Sequence, residues 1–525
     1  MKCALITDFT PCQRDILPVP YLSLDDSKIE ISYGRQLFVD DYLIERNTCR
    51  RIWHEAIPYK YNPVLVPETN IELDSGECPV AAPFNDGVWY DPRDKYYKLY
   101  YHAGWFHGTA LAISQDGIHW ERPDLGRVGH SNLLIPLRPT YERDGALVWL
   151  DQHADSVEER WKMFLFNRYQ DGEGGELYVS QDGIAWTCKG ETGPCGDNSS
   201  FFYDPFRRKW VFSIRNNFPV AGRSRAYLAR DNFIAPAWNN QVAASGPMNI
   251  NTPIPWARVD DLDPFEEATQ FNPQLYDLNA VAYESLMLGV FAIFNGPENS
   301  DCEILGCPKR VDLHFGFSRD GYHWSRPRER KPFLSCSRKK GTWDRGYLHA
   351  AGGLCLVFKD KLRFYYGAWS GESKLQPGEK GASSRGAYSM YAGASTGFAE
   401  MRRDGFASLG TDLEGMVVTK YLETAKRYLF VNAAADALRV ELLDRDNRVI
   451  SEYSIAESVA FSGDSTIQLM TWKCHRELPA IEGFKIRFTI SNGELYSFWL
   501  TDNSEGKSNG YLAAGSEHYS SDIDV

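Results

Sequence analysis

Five apolar runs of this chain bring a polar side chain to about the same place, directly before or within the run. Asp86 precedes GVWY, Arg143 and Asp144 precede GALVWL, and Asp197 stands just ahead of SSFFY. Glu284 lies in DLNAVAYESL with Asn279 ahead of it, and His349 lies in GYLHAAGG. Four of the five carry a carboxylate, and a charge beside buried apolar residues is costly unless it is paired or used. Converging carboxylates suit cleavage of a glycosidic bond. One attacks the anomeric carbon or activates water, a protonated second one donates to the leaving oxygen, and clustering raises their pKa values. Trp89, Trp105, His107, Arg215, Asn217 and Arg223 are candidates for sugar contacts. In SIRNNFPVAGRSR, planar donors could bind vicinal hydroxyls or a sugar carboxylate. Asp91 and Asp204 occupy Tyr-Asp-Pro turns and read as structural. No P-loop, dinucleotide fingerprint or zinc spacing is present, so neither a cofactor nor a metal is expected.

The elements that must position these side chains are strands. DGVWYDPRDKYYKLYYH, ALVWLDQHADSVEERWKMFLF, FFYDPFRRKWVFSIR, VAYESLMLGVFAIF and GLCLVFKDKLRFYYGAW each read as strand, turn, strand. A repeat follows most of them: ISQDGIHW from Ile113, VSQDGIAW from Val179, a degraded LARDNF from Leu228 and FSRDGYHW from Phe317, with an outline at Tyr391. Its Ser and Asp can bond a tight turn, its Gly supplies positive φ and its Trp fills an apolar gap. The expected fold is all-β: a five-bladed β-propeller over residues 76–410, preceded by a lead-in over 1–75 that packs on it. Period-two alternation at Phe484, Ile486, Phe488 and Ile490 predicts a C-terminal β-sandwich over 411–515, with a polar, frayed tail over 516–525.

Composition narrows the partners. A net charge of −13 argues against nucleic acid and anionic membrane, both of which call for a basic surface. No apolar run is long enough to span a bilayer, and the N-terminus lacks a signal-peptide apolar region, so a cytoplasmic location is expected. Eleven scattered cysteines fit free thiols. The aromatic fraction of 14% suits a surface that stacks on a small carbohydrate, and a homo-oligomer stays open.

FNDGVWYDPRDKYYKLYY and ERDGALVW carry a resemblance. The chain resembles the five-bladed propeller glycoside hydrolases, nearest in layout to glycoside hydrolase family 32, with families 43 and 62 more distant. The first segment is similar to that family's N-D-P-N-G element, which implies Asp86 as nucleophile. The second is similar to its R-D-P element, which implies Asp144 as transition-state stabiliser. Where the family has E-C-P this chain reads GDNSSFF, which puts Asp197 at the acid position, with Glu284 the alternative donor. The resemblance implies an exo-acting hydrolase of a fructosyl or arabinofuranosyl linkage. A phosphorylase or transglycosylase on the same fold, or an inactive sugar-binding propeller, are the other readings.

Overall fold

The computed structural model describes residues 13–23, 28–138, 141–169, 172–235, 237–238, 252–372 and 390–525. The described chain is almost entirely β. Among the described residues no helix is long and apolar enough to cross a membrane.

Five antiparallel meanders follow one another. Their leading strands are Ala81–Asp91, Tyr141–Leu150, Ser200–Asp204, Gln274–Glu284 and Gly346–Phe358. These are apolar on both faces, as strands buried on both sides must be; all eleven residues of Ala81–Asp91 are buried. Each leading strand touches the next, and the fifth returns to the first, so the five form a ring. The first two pair directly in parallel through Asn85 with Ala146 and Asp86 with Leu147, which merges their meanders into one seven-stranded sheet. The outer position of the fifth meander is taken by Ile57–Pro58, from far upstream.

Three Ser-x-Asp-Gly turns lock their meanders to the one before them around the ring. In the second meander, Asp182 accepts from the backbone N–H groups of Ile184 and Ala185 at 2.8 Å, and Gly183 N–H donates to Ser180 Oγ at 2.9 Å. The Gly183 carbonyl then accepts from Tyr100 of the first meander at 3.1 Å, and Trp186 packs edge-on against the same ring. Gly117 is bonded in the same way by Tyr365 of the fifth meander, and Gly321 by Arg207 of the third. Asp91 and Asp204 sit at hairpin turns and pair with Lys98 and Arg160, and with Arg207, respectively.

After the fifth meander, Ala407–Thr419, Tyr428–Leu443, Phe461–Met470 and Gly483–Thr501 build a nine-stranded sheet around a second apolar core, with Phe484, Ile486, Phe488 and Ile490 buried in it. Residues 29–53, expected to lie on the ring, supply four of its strands, because the Ala407–Thr419 and Gly483–Thr501 strands offer backbone groups that require partners. The final ten residues are tied down rather than frayed: Asp524 is buried, accepts from Ser508 N–H at 3.2 Å and pairs with Arg403.

Candidate active site

The ring axis is lined by the starts of the leading strands. Between Ala82 and Gly87 the first strand loses register, and in this bulge Asn85 and Asp86 adopt φ of 72° and 26°. Left-handed backbone at non-glycine residues is costly and persists where the surroundings impose it. Asp86 is wholly buried. One of its oxygens accepts from Phe84 N–H at 2.7 Å and the other from the Arg143 guanidinium. Arg143 also donates to the Asp144 carbonyl at 2.7 Å. Arg168 holds Asp144 and Asp197, each at 2.8 Å, and Arg215 holds the other oxygen of Asp197. Carboxylates and guanidiniums thus alternate across the first three meanders.

On the fourth strand the residue that meets this chain is Asp277. Its Oδ2 accepts from Asn279 Nδ2 at 2.7 Å, and Asn279 reaches Asn85 Oδ1 at 3.3 Å, which links the fourth strand to the first. Arg225 lies 3.6 Å from Asp277 Oδ1, an oxygen without a hydrogen-bond partner among the described residues. The fifth strand contributes aromatic surface. His349 packs 4.1 Å from the Phe84 ring, and both its nitrogens lack partners among the described residues. Trp105 stacks on Tyr391 at 4.3 Å, and Tyr347 donates to or accepts from Tyr276 at 2.8 Å. Lys309, also buried, donates to the Tyr276 hydroxyl at 3.0 Å.

Burial dominates the electrostatics. It pushes the Asp86 carboxyl up to about 6 despite Arg143, and the Asp277 carboxyl up to about 6 despite Arg225. Asp144 is raised by the same cause, opposed by Arg168 and Arg143. Burial, reinforced by Lys309 and Arg225, keeps His349 neutral by holding its pKa well below the usual imidazole value.

Several sequence-derived candidates lie elsewhere. Glu284, expected as a donor, sits at the opposite end of its strand from Asp277, at the hairpin with Leu286–Phe294. There it accepts from Arg403 at 3.0 Å, Ser508 at 2.7 Å and Arg35 N–H at 3.1 Å. Trp89 is a packing residue, donating to the Val148 carbonyl at 2.9 Å and wedged on Trp149. His107 is half-exposed and bonded to Asp74, and Asn217 is exposed. Arg223, by contrast, stays with the site: it lies over Tyr276 and is bonded to Gln274 at 2.7 Å. The sequence reading missed Asp277, Arg168, Arg225, Tyr276 and Lys309. Asp277 had a signal, an acid two residues before Asn279 at the start of the strand; Lys309 lies outside any leading strand. A cavity of about 900 Å³ lies away from the axis beside residues 15–19, and its Arg326 and Arg330 are already paired with Asp263 and Asp260.

No protein-family model matches the chain, and no curated protein matches it in sequence. Solved structures similar to it include an N-acetylgalactosamine deacetylase from F. plautii, 16% identical over 67% of this chain and 96% of that one, with a TM-score of 0.44. A fructofuranosidase from Schwanniomyces occidentalis is 11% identical over 85% of this chain and 98% of that one, with a TM-score of 0.39. A thermostable family-43 glycoside hydrolase is 11% identical over 61% and 92%, also at 0.39. A fructofuranosidase and a family-43 enzyme, the kinds of protein the sequence motifs resemble, thus stand among the solved structures similar to this chain.

Proposed function

We propose that the chain is a glycoside hydrolase whose five meanders are the blades of a propeller, over about residues 76–410, with a C-terminal β-sandwich over 411–515. The observation that carries this reading is a pair of buried carboxyls, Asp86 and Asp277, on facing leading strands and joined through Asn85 and Asn279. Their environments differ in the way the chemistry needs. Both oxygens of Asp86 are engaged by donors, which orients it as nucleophile or base. Asp277 keeps one oxygen unbonded, where a proton can pass to the leaving oxygen. Asp144, fixed by Arg168 and flanked by Arg143, is placed to hold ring hydroxyls. Asp197 is clamped between Arg168 and Arg215, which leaves neither oxygen for the leaving group. The substrate is an oligosaccharide with a terminal fructosyl or arabinofuranosyl unit.

Release of monosaccharide from a panel of furanosides, with and without phosphate, tests the reading. Asp86→Asn should lower turnover at least about a thousandfold on every substrate. Asp277→Asn should do so on natural linkages yet keep most activity on aryl glycosides whose leaving group needs no proton. Equal activity of both variants and wild type would remove these carboxyls from the reaction, and strict phosphate dependence would replace hydrolysis by phosphorolysis.

A further inference from the structure

The axis carries more positive than negative charge on its third- and fourth-meander side, and the excess is buried. Lys309 is 2% exposed, yet among the described residues it has no carboxylate partner. Its ammonium bonds a phenol and lies within about 5 to 6 Å of the rings of Tyr276, Tyr347 and Tyr391. Arg225 is 0% exposed; it donates to the Asn198 carbonyl at 2.6 Å, but among the described residues its Nε and Nη2 lack hydrogen-bond partners, and its one acidic neighbour there, Asp277, stands off at 3.6 Å. Arg223, over the same Tyr276 ring, is bonded to a neutral amide. Three cations therefore face one close carboxylate, Asp277, with Asp144 near enough to feel the charge of Lys309.

Desolvating a cation is expensive, and the cost is recovered only by an opposite charge or by hydrogen bonds to all its donors. Other buried cations obey that rule: Arg160 is bidentate on Asp91, and Arg319 on Asp40. Lys309 departs from it, and Arg225 meets it only through Asp277 at 3.6 Å; both cations act on the buried His349. Lys309 and Arg223 set up a field that the neighbouring Tyr276 phenol feels. Burial works to raise the Tyr276 pKa, and Lys309 with Arg223 outweighs it, so that the phenol lies below its ordinary value.

We propose that Lys309, Arg225 and Arg223, with the hydroxyls of Tyr276 and Tyr347, form a subsite for an oxyanion carried by the substrate, the carboxylate of a uronic acid. The proposal rests on the glycosidase reading in one respect: Arg225 adjoins Asp277, the proton donor, so the acidic sugar belongs on the leaving-group side of the bond. The substrate is then a furanosyl unit linked to a uronate. Planar guanidinium matches carboxylate geometry, and the ammonium supplies a point charge beside it.

Calorimetric titration of the full chain with glucuronate, galacturonate, the corresponding neutral hexoses and inorganic phosphate tests the subsite without requiring turnover. A uronate should bind at least tenfold more tightly than its neutral counterpart. Lys309→Met, which keeps the stem among the aromatic rings, should erase most of that preference while circular dichroism and melting remain those of a folded protein. Arg223→Gln, at a less buried position, should weaken uronate binding in the same direction. Equal binding of uronate and neutral hexose, no binding of either, or binding of phosphate alone would overturn the proposal. Loss of furanoside turnover in Asp86→Asn alongside an absent uronate preference would sink this subsite and leave the hydrolase standing; a uronate preference in a chain inert on every glycoside would do the reverse.

Discussion

Asp277 couples stability to chemistry at a single carboxyl. Its folded-state pKa of about 6 exceeds the unfolded value of about 3.9. The folded form therefore holds more protons between about pH 4 and 6, and stability falls as pH rises through that window. An amide of the same shape has no such loss. Asp277→Asn should thus melt higher than wild type at pH 7.5, by up to about 3 kcal/mol of stability, and equally at pH 4, where both are neutral. Paired thermal melts at the two pH values check this; a variant less stable at pH 7.5 would contradict the assignment of a costly buried charge. Sequence alone singled out Asp86, Asp144 and Asp197 because each stands just ahead of an apolar run. It chose Glu284 over Asp277 because both lie in one apolar stretch, and only the hairpin at Glu284 and Ser285 reveals that the strand has by then crossed to its other end. Lys309 and Arg225 were illegible for a different reason: their significance is an absence of counter-charge, which depends on neighbours far away in sequence.

The repeated turn is the element that holds the ring, and its glycine has two jobs. Gly183 has φ of 78°, and a methyl group there would stand 2.2 Å from the Tyr100 hydroxyl that bonds its carbonyl. Gly183→Ala should therefore cost more than the roughly 1–2 kcal/mol of a left-handed alanine, because the clasp to the first meander must also open. Chemical denaturation would show a lower midpoint; an unchanged midpoint would mean that the turn is decorative. The motif was plainly visible in the sequence, as were the Ser and Asp bonds of its turn. Its partner was not, since Tyr100 sits in a preceding strand with no pattern to mark it. The strand pairs too were legible from apolar runs and Asp-Pro turns, whereas the strands of residues 29–53 were too short to declare which sheet they would join.

At the scale of the molecule, Glu284 belongs to the seam between ring and C-terminal sheet. Arg35, Arg403, Glu284, Asp404 and Asp524 meet there, drawn from the N-terminal region, the fourth leading strand, the start of the C-terminal sheet and the chain's end. Neutralising Glu284 leaves Arg35 with Asp404 and Arg403 with Asp524 as their remaining counter-charges, so Glu284→Gln should cost about 3 kcal/mol while the folded fraction turns over normally. Melting and active-site-normalised rates together check this, and a stable but inactive variant would return Glu284 to the chemistry. The fifth meander gains its outer strand where Ile57 and Pro58 meet Ala399 and Glu400, one strand standing before the first meander in sequence and the other at the end of the fifth. On a ribosome, the growing chain must wait with its first meander unsealed until the fifth has emerged. During that interval the open arc presents raw strand edges, and any partner that shields them would govern how much of this protein is ever made.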